Sequence, residues 1–201
     1  MEQNDCRFQV ETVPSKELME EAYVTVMWHS WRAWIYVAAI ALGFGLAGYR
    51  IYDAYTWSMW GYRDAWRDNM VMIVYCLLLA IYLLVRLFTA PGFSARKFMR
   101  RLEAVHGDAS TLKLTYYFDD DRMHSQSSSG QKLETAYDQI VAVHETAHGI
   151  VMRRKEHLFE SLDKSAIEGG TLEDFKAFLQ EKMPGAKFHW KQNIAEYIRR
   201  K

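Results

Sequence analysis

Apolar and polar positions are distributed unevenly along the chain. Ala33–Tyr49 holds 17 residues without a charge, and Met70–Val85 is a second such block. Arg50 closes the first block and Arg86 the second. Crossing a hydrocarbon core takes about 20 residues, with a range of roughly 17–25. Both blocks reach that length if Arg50 and Arg86 sit at the ends and extend their guanidinium groups to the interface. The pattern predicts two transmembrane helices, at about 33–52 and 70–90, joined as a hairpin. A pair of buried soluble helices fits less well, because such helices keep a polar face.

The residues around the blocks agree with this reading. Trp28 and Trp31 precede the first block, Trp34 stands at its start, and Trp57, Trp60 and Trp66 lie between the two. Tryptophan favours the headgroup layer, where one part of the ring is apolar and the other is wet. Asp53–Asn69 is too short for a domain and reads as an interfacial loop. Ala39, Gly43 and Ala47 recur every four residues, a stripe that lets helix backbones approach closely. Its partner is either the second span or another copy of the chain. Residues 1–30 lack a charged-then-apolar leader, so no cleavable signal peptide is expected and the first span serves as the insertion signal. Arg86, Arg96, Lys97, Arg100 and Arg101 follow the second span, against Arg50, Arg63 and Arg67 in the loop. This bias places both termini in the cytoplasm. Cys76, within the second block, reads as a small apolar residue.

Beyond the spans the periodicity changes. Ser94–Val105 has Phe98, Leu102 and Val105 at helical spacing with Ser94 as a candidate N-cap, so an amphipathic helix continues from the membrane. Its Arg96, Lys97, Arg100 and Arg101 are candidates for contact with anionic lipid headgroups. The same four residues also fit plain positive-inside topology. Leu112, Leu114, Tyr116 and Phe118 alternate with polar positions, as in a half-buried strand. Asp119–Asp121 reads as a turn; three carboxylates suit a cation, but no EF-hand spacing follows. Further strands are expected over Met123–Ser129, Lys132–Tyr137, Gln139–Glu145, Ile150–Arg154 and Leu158–Leu162. Thr171 and Asp174 then open a helix with Leu172, Phe175, Phe178 and Leu179 on one face, ended by Pro184-Gly185. Trp190, Ile194, Tyr197 and Ile198 suggest a last helical segment with a basic end at Arg199-Arg200-Lys201. Phe8, Val10 and Thr12 could add a strand, making the membrane hairpin an insertion. The expected organisation is an N-terminal segment (1–32), a hairpin (33–90) and a cytoplasmic domain (91–201).

Charge and chemistry narrow the function. Twenty-five basic and 25 acidic residues balance, which gives no general case for nucleic-acid binding. Two cysteines make no disulfide framework. No phosphate-binding glycine loop, G-x-S-x-G or C-x-x-C occurs, and no cofactor is expected. One motif carries chemistry: His144-Glu145-Thr146-Ala147-His148 matches H-E-x-x-H. On a helix, His144 and His148 would share a face and bind zinc while Glu145 activates its water. The surrounding Ile140, Val141, Val143 and Thr146 favour a strand instead. On a strand the two imidazoles stand about 13 Å apart at roughly 3.3 Å per residue. A third ligand is also needed, with Glu168 and Glu173 at possible distances downstream.

Leu112–Pro184 resembles the YcxB-like domain of bacterial membrane proteins. The similarity lies in YYFDDD at Tyr116–Asp121, the Ser129-Gly130 turn, and Tyr137-x-x-Ile140-x-x-Val143-x-Glu145-Thr146. It continues through Asp163-Lys164-Ser165-Ala166-Ile167 and the GTLEDFKAFLQEKMP helix. The order of polar segment, two spans, strands and final helix also matches. The resemblance implies a cytoplasmic domain on a membrane hairpin, shaped like a pleckstrin-homology barrel with a closing helix, and it carries over no catalytic residues. The expectation is therefore an α+β protein of a bacterial inner membrane, with a small antiparallel sheet or partly open barrel and a C-terminal helix. It would be a non-enzymatic interaction module binding a protein partner or an anionic lipid surface. Two alternatives from other classes are a membrane zinc metalloprotease and a small regulatory subunit of a membrane complex.

Overall fold

The computed structural model describes residues 6–106, 112–155 and 158–190. The fold is α+β and divides into two compact units. One comprises residues 27–91. The other joins the chain up to Val26 with the chain from Gly92 onward.

The first unit is built from apolar helices. Helix α2 spans Trp31–Met59 and helix α3 spans Ala65–His106, the latter running on beyond this unit. Both are long and apolar enough to cross a membrane. Of the two partners weighed for the small-residue stripe, the structure shows the second helix. A Cβ on Gly43 would lie 3.1 Å from the Ala80 Cβ and 3.4 Å from the Cys76 carbonyl oxygen. Ala47 is buried on the same stripe. The outward faces are apolar, with Leu42, Phe44, Leu46, Val71, Leu78 and Val85 exposed. The Asp53–Asn69 segment is not a loop throughout: only residues 60–64 connect the helices. Trp57 Nε1 donates to Asp53 Oδ1 at 3.2 Å and Thr56 Oγ1 donates to the Tyr52 carbonyl at 2.9 Å. These local bonds carry α2 past Asp53, and Gly61 at a φ of 88° ends the path. Arg50 Nη1 reaches Asn69 Oδ1 at 3.5 Å.

Ser94 caps nothing, because α3 passes through it unbroken with Pro91 inside the helix. Proline lacks one backbone donor there, yet helix on both sides holds the geometry.

The second unit begins with strand β1, Phe8–Thr12, and helix α1, Lys16–Trp28. The Ser15 hydroxyl accepts the Leu18 N–H at 3.1 Å and so starts α1. Strands β2 (Leu114–Phe118), β3 (Arg122–Ser127), β4 (Lys132–Ala136), β5 (Ile140–Glu145), β6 (Gly149–Arg154), β7 (Phe159–Asp163) and β8 (Ile167–Glu168) follow. Helix α4 spans Leu172–Lys182 and strand β9 spans Lys187–His189. The strands form two sheets, β4-β3-β2-β1-β8 and β7-β6-β5-β9, where the expectation is one small antiparallel sheet or a partly open barrel. All the pairings are antiparallel except β5 with β9. Strand β9 also replaces the expected beginning of a last helix. Ile194, Tyr197, Ile198 and the basic end Arg199-Arg200-Lys201 lie outside the described residues.

Strand β1 sits between β2 and β8, so the N-terminal residues complete the second unit's sheet. Both sheets and α4 contribute to one core. Phe8, Val10, Phe118, Met123, Val143, Ile150, Leu162, Phe175 and Phe178 are all buried in it. The Phe118 and Phe175 rings meet edge to face at 4.9 Å. A smaller cluster joins Leu18 and Met19 of α1 to Ala95 of α3, with Tyr23, Phe98 and Met99 against it.

Candidate functional site

The H-E-x-x-H segment is strand, turn and strand. His144 and Glu145 end β5, Thr146–His148 turn, and Gly149 starts β6. Thr146 closes the turn. Its N–H donates to the Gly149 carbonyl at 2.8 Å, its hydroxyl donates to that carbonyl at 3.0 Å, and the Gly149 N–H donates back to the hydroxyl at 3.0 Å.

Period-two alternation then sends the motif's side chains apart. Glu145 reaches Lys176 of α4, with Oε2 2.9 Å from Nζ, and lies 3.9 Å from Lys164 Nζ. His148 is exposed and binds Glu21 of α1. Its Nδ1 is 2.6 Å from Oε1, and its backbone N–H donates to Oε2 at 3.1 Å. His144 is buried and stacks on His189 of β9, with ring centroids 4.6 Å apart and planes 5° from parallel. The zinc-protease candidates His144, Glu145 and His148 therefore lack the shared helical face that the motif requires. The downstream ligand candidates are elsewhere too. Glu173 pairs with Lys176 at 2.9 Å, and Glu168 pairs with Gln9 in the five-stranded sheet.

The Asp119–Asp121 turn is an ion-pair turn. Asp119 Oδ2 is 2.9 Å from His124 Nε2, and Asp120 Oδ1 is 2.7 Å from Lys182 Nζ. The Lys182 ammonium holds the Asp120 carboxyl below its ordinary range. Tyr137 donates its hydroxyl to the Asp119 carbonyl at 2.6 Å. Burial, followed by the charges of the three aspartates, pushes its phenol up.

A second polar group is enclosed at the other end of β6. Tyr116 donates to Glu160 Oε2 at 3.1 Å, Arg154 Nη1 lies 3.6 Å from Glu160 Oε1, and Arg154 Nη2 donates to Gln139 at 3.3 Å. Burial pushes the Glu160 carboxyl up, while the Tyr116 and Arg154 contacts hold part of that shift back.

The remaining candidates, Arg96, Lys97, Arg100 and Arg101, lie together on α3. All four are exposed, as is Phe93 on the same face. Ala95, Phe98 and Met99 point the other way, into the small cluster with α1. At 100° per residue, Phe93, Arg96, Lys97 and Arg100 fall within one side of the helix, opposite those packed residues. None of the four cations forms a hydrogen bond or ion pair with another described residue.

No family model and no curated protein matches the chain. A solved structure of the Spt16D Pob3N heterodimer superposes with a TM-score of 0.33 at 11% identity, over 42% of this chain. The chain spans about half of that structure's chain, 49%. A likeness that low carries no argument. The protein's class is set by its own architecture: an α+β protein with two helices long and apolar enough to cross a membrane.

Proposed function

We propose that this protein is a membrane-anchored, non-enzymatic binding module whose basic α3 face rests on an anionic lipid surface. In this reading α2 and the first part of α3 form a transmembrane hairpin, and both termini lie in the cytoplasm of a bacterial cell. The α+β unit is then a YcxB-like, pleckstrin-homology-like domain; two sheets sharing one core with α4 support that placement. One observation carries the lipid assignment. Three exposed cations, Arg96, Lys97 and Arg100, share one face with an exposed Phe93, and Arg101 is exposed at the edge of that face, on a helix that runs on from an apolar span. The length of α3 is consistent with this. Its stretch 65–91 alone extends roughly 40 Å at 1.5 Å per residue, already longer than a hydrocarbon core. Residues 92–106 therefore emerge beside the headgroups, where each cation contributes about 1 kcal/mol of attraction to an anionic leaflet.

Hydrogen exchange of the full chain in nanodiscs tests this. Residues 92–106 should exchange more slowly in discs containing phosphatidylserine than in phosphatidylcholine alone. The difference should vanish at about 1 M salt, where the screening length falls to about 3 Å. It should also vanish when Arg96, Lys97, Arg100 and Arg101 are replaced by glutamate. Equal exchange in both lipids removes the assignment.

A further inference from the structure

The H-E-x-x-H motif points to one pair of histidines, and the fold assembles a different one. His144 and His189 are 45 residues apart in sequence, but they occupy in-register positions on the parallel strands β5 and β9. Their ring nitrogens offer ligand atoms within 4.8 Å of each other. His144 is 1% exposed, whereas His189 lies on the short outer strand and is exposed. A buried imidazole beside an accessible one gives an ion a route in from solvent and a second donor already in place.

We propose that His144 and His189 supply two ligands of a site for a borderline-soft divalent cation such as Zn²⁺ or Cu²⁺. Neutral imidazole nitrogens suit these ions and discriminate against Mg²⁺ and Ca²⁺, which take oxygen. Two nitrogens on one zinc, each about 2.0–2.1 Å from the metal, stand roughly 3.3 Å apart in a tetrahedron. The stacked rings lie parallel, so one ion cannot lie in both ring planes at once. Binding therefore turns the rings about χ2, a broad torsion for histidine, and breaks the stack. The ion would join β9 to β5 by side chains as well as by backbone. This assignment excludes His148, which is held by Glu21.

The test uses untagged full-length protein in detergent. Zn²⁺ uptake is measured by competition with a chromophoric chelator, and the bound Cu²⁺ form by electron paramagnetic resonance. About one ion per chain is expected, with nitrogen superhyperfine splitting from two imidazoles. His189→Ala and His144→Ala should each weaken Zn²⁺ binding about tenfold or more, while His148→Ala leaves it within about twofold. Should His144→Ala fail to fold, His189→Ala and His189→Gln decide, since that side chain is exposed on a three-residue strand. Absence of uptake by the wild-type protein overturns the proposal. So does loss in His148→Ala, or unchanged binding in a folded His189 variant.

Discussion

Glu160 is a carboxylate whose ionisation the fold opposes. Burial raises its proton affinity above the ordinary value of 4.5, so between that value and the folded one the native state holds a proton the unfolded chain has released. Stability therefore falls as pH rises through that window and stays lower above it. Glu160→Gln keeps an acceptor for the Tyr116 hydroxyl and removes the charge. The expected outcome is a melting temperature of the detergent-solubilised protein that no longer declines across the window. An unchanged decline would assign it to another group. Gly149 is a steric case. A Cβ there would overlap the Leu162 carbonyl oxygen and crowd Leu18 of α1. Gly149→Ala should cost about 1–3 kcal/mol by overpacking, read from denaturant melts. At this scale the sequence exposed the strand character of the H-E-x-x-H segment through Ile140, Val141, Val143 and Thr146. It could not expose the stacking of His144 on His189, because that contact depends on a pairing across 45 positions.

Among the elements, α4 is the most locally determined. Thr171 accepts the Asp174 N–H at 3.2 Å and Asp174 accepts the Thr171 N–H at 3.0 Å, a reciprocal cap. Thr171→Ala should lower stability by about 1 kcal/mol, as seen in denaturant melts, and Thr171→Ser should restore most of it. Such caps are written in four consecutive residues, which is why this helix was legible from sequence, as were the two long apolar helices. Helix α1 was not anticipated. Its signal lies in Ser15 and in Leu18, Met19 and Ala22 at helical spacing, but Glu17, Glu20 and Glu21 mask it by making the segment strongly charged. Strand β9 was missed for another reason. Three residues carry no periodicity, and a parallel edge strand exists only through its partner β5. The second sheet is likewise a matter of pairing: all but β9 of its strands were expected, while their grouping into fours and fives was not.

At the scale of the whole molecule, the chain leaves the α+β unit after Val26 and re-enters it at Gly92. This topology has a direct consequence for folding. Strand β1 is interior, pairing with β2 on one side and β8 on the other, and the Phe8 ring lies 5.2 Å from both Phe175 and Phe178. Losing a buried phenylalanine costs about 3–5 kcal/mol, and loss of Val10 and the β1 hydrogen bonds adds to it. Total stabilities are only about 5–15 kcal/mol. A fragment beginning at Gly92 should therefore fail to fold, giving aggregated material without dispersed amide resonances. Replacing residues 27–91 by a Gly/Ser linker of about 10 residues, with a root-mean-square reach of roughly 17 Å, keeps β1 and α1 attached to the rest. That shortened chain should be soluble without detergent and show the dispersed spectrum of a packed α+β unit. If the fragment from Gly92 folded equally well, β1 would be an accessory strand. The apolar helical segment would then be an appendage, no longer an insertion that two halves of one core must close around.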